Sequence, residues 1–166
     1  MMSGNLPAAY GGEPVRKEGM GYGGQSITEP DKAAVADALE GDYITRGPTV
    51  DAFEERVADL VGVDHGVAVT SGTAALHLCG RAAGFGPGDE VITTPLTFAS
   101  TAHAATYADA KPVFADIDPH TRTLDPDAVR EAITEDTVGL IPMHYAGHPP
   151  DVEELLAIAD EHDLTV

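Results

Sequence analysis

The sequence predicts an α/β fold, a mostly parallel sheet with helices on both faces, and three observations carry that reading. From Gly66 onward, short apolar runs alternate with longer stretches whose apolar residues recur at helical spacing. Strands separated by helices need crossover connections, and right-handed crossovers build a parallel sheet covered on both sides. Runs such as Val138-Gly-Leu-Ile-Pro142 are almost continuously apolar, as strands buried on both faces are.

Residues 1–25 are rich in Gly, contain Pro and show no apolar period, so they read as a flexible lead-in to a single domain over 26–166. Thr28-Glu-Pro-Asp31 has the form of a capping box with Pro in the first turn, and Ala34, Val35, Ala38 and Leu39 then mark one helix face up to Gly41. The connector Asp42-Tyr-Ile-Thr45-Arg-Gly47-Pro48 is too irregular for an element. Thr49 is placed to cap a second helix with Val50, Phe53, Val57 and Leu60 on one side and Gly62 at its end. The alternation that follows predicts strands at 67–70, 90–94, 112–116 and 138–143, and helices at 73–83, 99–107, 126–133 and 151–162. Leu164-Thr165-Val166 reads as a strand beginning. A sheet that stops there leaves an edge and an uncovered helix face, so the expectation is a truncated part of a longer protein.

The chain of 166 residues carries 9 Lys and Arg against 28 Asp and Glu, a net charge of -19. Phosphate neutralisation needs clustered basic residues, so nucleic acid is not an expected partner. Acids spread along the chain suit a halophilic protein, because molar salt shortens the Debye length to about 3 Å and weakens self-repulsion. No run reaches the roughly 18 apolar residues of a membrane helix, and the N-terminus lacks a basic-then-apolar leader, so a cytoplasmic protein with no membrane partner is expected. Cys79, the only cysteine, reads as a buried structural thiol.

In open parallel sheets ligands collect beyond the carboxyl ends of the strands. Ser71-Gly72-Thr73 follows the first predicted strand and opens a helix. Such a corner either caps the helix or holds an anion, and its strand-turn-helix setting favours phosphate. Phe98, after the second strand, is either a core aromatic or a ring stacked on a planar cofactor, and the nearby phosphate corner favours the second. Asp116 and Asp118 read as turn-forming acids rather than metal ligands. His144 and His148 are four apart, but Gly147 and Pro149-Pro150 forbid the helix that would align them on a metal, so no metal site is expected. His77 and His103 read as packing or surface residues, and Gly84-Phe-Gly86-Pro-Gly88-Asp89 as a turn, since it precedes a strand instead of following one.

With Gly41-Asp-Tyr-Ile-Thr45-Arg-Gly-Pro, Phe53-Glu, Ser71-Gly-Thr-Ala-Ala-Leu, Gly86-Pro-Gly-Asp-Glu-Val-Ile, Thr97-Phe98, Pro112-Val-Phe-Ala-Asp-Ile-Asp118 and His144-Tyr-Ala-Gly in order, the sequence resembles the DegT/DnrJ/EryC1/StrS aminotransferases over residues 21–166. Tyr22, Gln25-Ser-Ile, the segment 44–47 and the Phe98 region look most similar to the UDP-4-amino-4,6-dideoxy-N-acetyl-altrosamine transaminase type, with the arabinosamine-forming branch a near second. The resemblance implies the N-terminal portion of a fold-type-I large domain that binds pyridoxal 5'-phosphate. It also implies a homodimeric enzyme that aminates keto sugars carried on nucleotides, with glutamate as donor. Residue by residue, it implies that Gly72 and Thr73 hold the cofactor phosphate, that Ser71 shapes the corner and that Phe98 stacks on the pyridine ring. Tyr22 and Thr45 fall in segments that approach the sugar.

The family's acid for the pyridine nitrogen follows the strand that begins at Leu164, and its Schiff-base lysine lies further downstream; neither is in this sequence. The lysines present are Lys17, Lys32 and Lys111. Lys111 enters its predicted strand at the amino end and the other two precede the sheet, so the expectation is an aminotransferase fragment without catalytic residues, inactive as it stands. The alternative is a non-catalytic module that retains the phosphate corner and binds a nucleotide sugar or a protein, which requires a sealed sheet edge.

Overall fold

A computed structural model describes residues 12, 13, 18 and 23–166. Most of the predicted lead-in over 1–25, Tyr22 included, lies outside the described residues. The chain divides into two compact units, one ending at Gly66 and the other running from Val67 to Val166.

The first unit contributes two helices, α1 (Glu29–Glu40) and α2 (Pro48–Val61). The box at the start of α1 forms: the Thr28 amide and hydroxyl both donate to Asp31 Oδ2 at 2.7 Å, which holds the Asp31 carboxyl below its usual range. At α2 the expected cap is displaced. Thr49 is already helical and Gly47 is the N-cap, because Pro48 suits the first helical position, where a missing N–H costs nothing. Gly62 ends α2 as expected, in the left-handed conformation (φ 75°), with its amide donating to the Ala58 carbonyl at 2.9 Å. The apolar stripes are only lightly covered. No residue of α1 is buried, and Ala58 alone is buried in α2, with Phe53 and Leu60 exposed.

The second unit holds the sheet. Its elements in order are α3 (Gly72–Ala82), β1 (Glu90–Thr93), α4 (Ser100–Thr106), β2 (Lys111–Phe114), α5 (Pro126–Ala132), β3 (Thr137–Ile141) and α6 (Val152–His162). The strands run parallel in the order β2-β1-β3, with Ile92 level with Val113 on one side and Leu140 on the other. All four residues of the central strand β1 are buried, with Val91 and Ile92 facing opposite cores and the polar Glu90 and Thr93 at its ends. One face packs Ile92 and Leu140 with Leu124, Val129, Leu155 and Ile158; the other packs Val91 with Phe85, Ala105 and Ala108. Helices therefore cover both faces, as the sequence predicts.

Two further expectations need correction. The predicted strand at 67–70 leads into α3 without joining the sheet: it forms no ladder, and Val67 is 78% exposed. Alternation of Val67 and Val69 marks a strand, but a ladder needs a neighbouring strand, and the three strands of this sheet pair with one another. Cys79 is exposed, not buried: it lines open clefts between α3 and the unpaired segment at Val67 and Val69 and between α3 and β3. Leu164-Thr165-Val166 does begin to pair. Thr165 bridges Gly139 in parallel, its carbonyl accepting the Leu140 amide at 2.8 Å and its amide donating to the Val138 carbonyl at 3.0 Å. Gly84–Asp89 is the expected turn, with the Asp89 carboxylate accepting the Gly86 amide at 2.8 Å.

Candidate functional site

Ser71 turns the extended segment into α3. Its backbone is extended (φ −164°, ψ 160°), its Oγ accepts the Ala74 amide at 3.2 Å, and its carbonyl accepts the Ala75 amide at 3.0 Å. The Ser71 hydroxyl is thus engaged as a helix cap. The next two amides, Gly72 and Thr73, have no hydrogen-bond partner among the described residues, as the first turn of a helix dictates. No heavy atom lies within 4 Å of where a Cβ on Gly72 would stand, so internal packing does not require a glycine there. The side chain is missing where the helix dipole and two free donors face outward, beside the half-buried Thr73 hydroxyl.

Phe98 sits in the loop that leaves the carboxyl end of β1. Its carbonyl accepts the Thr101 amide at 3.0 Å to start α4, while the residue is 76% exposed. The loop itself is tied down by residues that sequence reasoning passed over. Thr94 Oγ1 accepts the Leu96 amide at 3.1 Å, and Thr97 Oγ1 lies 2.8 Å from Thr101 Oγ1 and 2.9 Å from Met143 Sδ. Hydroxyls spaced through a strand-exit loop are the one sequence signal for this network.

Met143 follows β3 and precedes His144–His148, a tight turn in which Ala146 (φ 51°) and Gly147 (φ 84°) both adopt the left-handed conformation. The His148 amide donates to the Tyr145 carbonyl at 2.9 Å, closing a two-residue loop of the type that suits Gly at its second position. The two histidines accordingly share a turn, not a helix face. His77 and His103 both pack on the Tyr107 ring, with centroid separations of 5.2 and 5.3 Å.

Asp116 and Asp118 form turns. Asp118 Oδ1 accepts the amides of His120 (2.6 Å) and Thr121 (3.3 Å), which hold its carboxyl below the usual range, and Asp116 Oδ1 accepts the Ile117 amide at 2.8 Å. Among the described residues no group of three or more His, Cys, Asp or Glu is placed to hold a metal ion. A cleft of about 420 Å³ does open between Asp118, Asp125, Asp151 and Glu154, away from the Ser71 corner and from Phe98.

Lys111 opens β2 level with Glu90, the first residue of β1, and its Nζ lies 2.6 Å from Glu90 Oε1. Thr134 Oγ1 donates to the other carboxylate oxygen at 2.7 Å. Hydrogen bonds from Lys111 and then Thr134 hold the Glu90 carboxyl below its usual value, and Glu90 in turn raises Lys111. This pair marks the amino edge of the sheet. At about 3.3 Å per residue, β1 alone puts roughly 10 Å between that edge and the loop bearing Phe98.

Of the sequence-predicted site residues, Ser71, Gly72 and Thr73 form one corner and Phe98 belongs to the same unit, on the loop before α4. No hydrogen bond or ring contact among the described residues joins Phe98 to the corner. Thr45 is exposed in the bend between α1 and α2, in the other unit. Tyr22 lies outside the described residues.

Residues 25–166 match the DegT/DnrJ/EryC1/StrS aminotransferase family. The spore coat polysaccharide biosynthesis protein SpsC of Bacillus subtilis is 47% identical over 132 residues, covering 80% of this chain and 34% of SpsC. The putative sugar aminotransferase Spr1654 from Streptococcus pneumoniae, in its PLP form, superposes with a TM-score of 0.78 at 34% identity, over 85% of this chain and 36% of that one. DesI, solved in the presence of its TDP-sugar product, gives a TM-score of 0.70 at 44% identity, over 80% of this chain and 34% of DesI. The chain spans about a third of the length of the curated relatives it matches. A match over this extent, with likeness to solved aminotransferases in both sequence and fold, places the chain in the DegT/DnrJ/EryC1/StrS aminotransferase family.

Proposed function

We propose that this stretch supplies the phosphate corner and the ring-facing wall of a pyridoxal-phosphate aminotransferase that aminates nucleotide-linked keto sugars, with glutamate as donor and a homodimer as the working form. The observation that carries the proposal is the start of α3, where the free amides of Gly72 and Thr73 sit beside a hydroxyl and the space above Gly72 is open. These residues fit a phosphate. Two amides and a hydroxyl can donate to its oxygens, and the helix dipole adds about 0.3–2 kcal/mol for a negative group. Ser71 contributes by keeping the turn in shape. Phe98, exposed on a pinned loop, suits the face of a planar ring. When bound, the cofactor supplies an electron sink for the carbon bearing the amino group. The TDP-sugar product of DesI supports a nucleotide-linked substrate, and the segments around Tyr22 and Thr45 favour the altrosamine type as the first sugar to test.

The two described lysines are both engaged in ion pairs. Lys111 is held by Glu90 at the amino edge of the sheet, Lys32 pairs with Glu29 at 2.6 Å in the other unit, and Lys17 lies outside the described residues. The reading as an independent binding module needs a sealed sheet edge, and beyond β3 Thr165 bridges Gly139. The acid-rich composition supports a salt-rich cytoplasm, and no helix among the described residues is long and apolar enough to cross a membrane.

Calorimetric titration of the chain with pyridoxamine 5'-phosphate tests the corner. Thr73→Val should weaken binding about 2- to 10-fold, the equivalent of one lost hydrogen bond. Equal affinity of wild type and variant would refute the phosphate role. Borohydride treatment with pyridoxal phosphate should leave no stoichiometric adduct on any one lysine; such an adduct would overturn the claim of inactivity.

A further inference from the structure

We infer that Thr97 is a positioning residue that locks two loops of the sheet's carboxyl edge together and thereby sets the Phe98 ring. Thr97 Oγ1 stands 2.9 Å from Met143 Sδ and 2.8 Å from Thr101 Oγ1. A thioether carries no proton, so the single hydroxyl proton of Thr97 goes to Met143, and the proton between the two threonines comes from Thr101. The order Thr101→Thr97→Met143 is therefore determined by the donors available. It links the first turn of α4 to the exit of β3, 46 residues apart in sequence between Thr97 and Met143. A second tie runs alongside, as Thr93 Oγ1 donates to the Ile141 carbonyl at 2.7 Å.

The consequence lies on either side of the clamp. Phe98 is the next residue after Thr97, and its carbonyl caps α4 through Thr101, which is itself buried. Met143 is the last residue before the His144–His148 turn, whose two left-handed residues have limited freedom to re-form elsewhere. Phe98 is too exposed for its own packing to orient it. Its direction is set by the backbone on which Thr97 and Thr101 are anchored, and the same anchor fixes where the histidine turn begins.

Hydrogen exchange on the full chain reads the clamp without any ligand. In Thr97→Val the amides of Thr101, Gly147 and His148 should exchange about 2- to 10-fold faster, while those of Ala75 in α3 and Leu140 in β3 stay at the wild-type rate. Thr97→Ser, which keeps the hydroxyl, should restore the wild-type rates. A faster Thr101 with unchanged Gly147 and His148 would show two independent loops and overturn the inference. A second arm rests on the proposed function. With pyridoxamine 5'-phosphate bound, Thr97→Val should lower the cofactor's induced circular dichroism about 2- to 10-fold per bound molecule, with the affinity for inorganic phosphate unchanged and Thr97→Ser again restoring the signal. An unchanged signal would overturn the ring-positioning role. If the wild-type chain binds no pyridoxamine 5'-phosphate while the exchange pattern appears, the proposed function and the ring role fail together and the loop lock stands.

Discussion

Replacing Gly139 by Ala tests the packing that holds the two faces of the sheet in register. A Cβ at position 139 would stand 2.6 Å from Phe85 Cζ, 2.8 Å from Phe85 Cε1 and 3.1 Å from the Thr165 carbonyl oxygen. Carbon atoms in contact prefer about 3.5–4.0 Å, so the ring must retreat by roughly 1 Å. It has little room. Phe85 is buried, and its Cδ2 lies 3.3 Å from where a Cβ on Gly80 would stand, so the ring approaches α3 closely only because position 80 is glycine. The other yielding group, Thr165, is held by the Leu140 amide at 2.8 Å, and moving it strains the bridge that extends the sheet beyond β3. Overpacking that forces a buried ring to shift costs about 1–3 kcal/mol. Urea denaturation followed by circular dichroism should therefore show a lower midpoint at unchanged slope. Phe85→Leu in the same chain should recover part of the loss, because the two residues share one contact and their effects do not add. A Gly139→Ala midpoint equal to wild type, or strict additivity with Phe85→Leu, would refute the claim that the ring is wedged between α3 and β3.

Ser71→Ala removes the α3 cap and should cost about 0.5–2 kcal/mol by the same denaturation assay, and it should weaken inorganic phosphate binding less than Thr73→Val does. The Glu90–Lys111 pair predicts losses at both ends of the pH range. Glu90 is lowered on folding, so its contribution is present above the unfolded carboxyl value of about 4.3 and fades as pH falls through the lower folded value. Lys111 is raised, so its contribution is complete below about 10.4 and fades as pH rises through the higher folded value. Glu90→Gln should flatten both limbs of a melting-temperature profile; limbs as steep as in wild type would refute the assignment. With a net charge of -19, the melting temperature should rise between about 0.1 M salt, where the Debye length is about 10 Å, and about 1 M, where it is about 3 Å, and a flat response would refute the salt-adapted reading.

The parallel sheet was legible because its signals are local and repeated. Buried runs such as Glu90–Thr93, Pro-led helices such as Pro126–Ala132 and the Gly62 stop each write their chemistry into adjacent residues. Where the reading failed at Val67 and Cys79, the deciding partner was distant in sequence; at Thr49 it was the adjacent residue. Val67 and Val69 alternate as a strand does, but whether they enter a ladder depends on a neighbour that the alternation cannot name. Thr49 is a good cap by type, yet Pro48 before it starts the helix earlier. Cys79 follows the usual habit of free cysteines only if its side of α3 is closed over, and here it faces open clefts.

The site divides along the same line. Ser71-Gly72-Thr73 is legible because a helix N-terminus is built from consecutive residues, so the cap, the open space and the free amides are all encoded within three positions. The seat of Phe98 is not, since Thr97 reaches its acceptor at Met143 only after the chain has passed through α4, β2, α5 and β3. A sequence shows that Thr97 has a hydroxyl and that Met143 has a sulfur, and nothing in either residue announces the other. The parallel pairing of β1 with β3 is what brings the two exits side by side. The phosphate corner thus depends on local backbone chemistry, while the orientation of the ring wall depends on the sheet having formed in its correct order. Disrupting strand order should therefore disturb Phe98 before it disturbs Gly72 and Thr73.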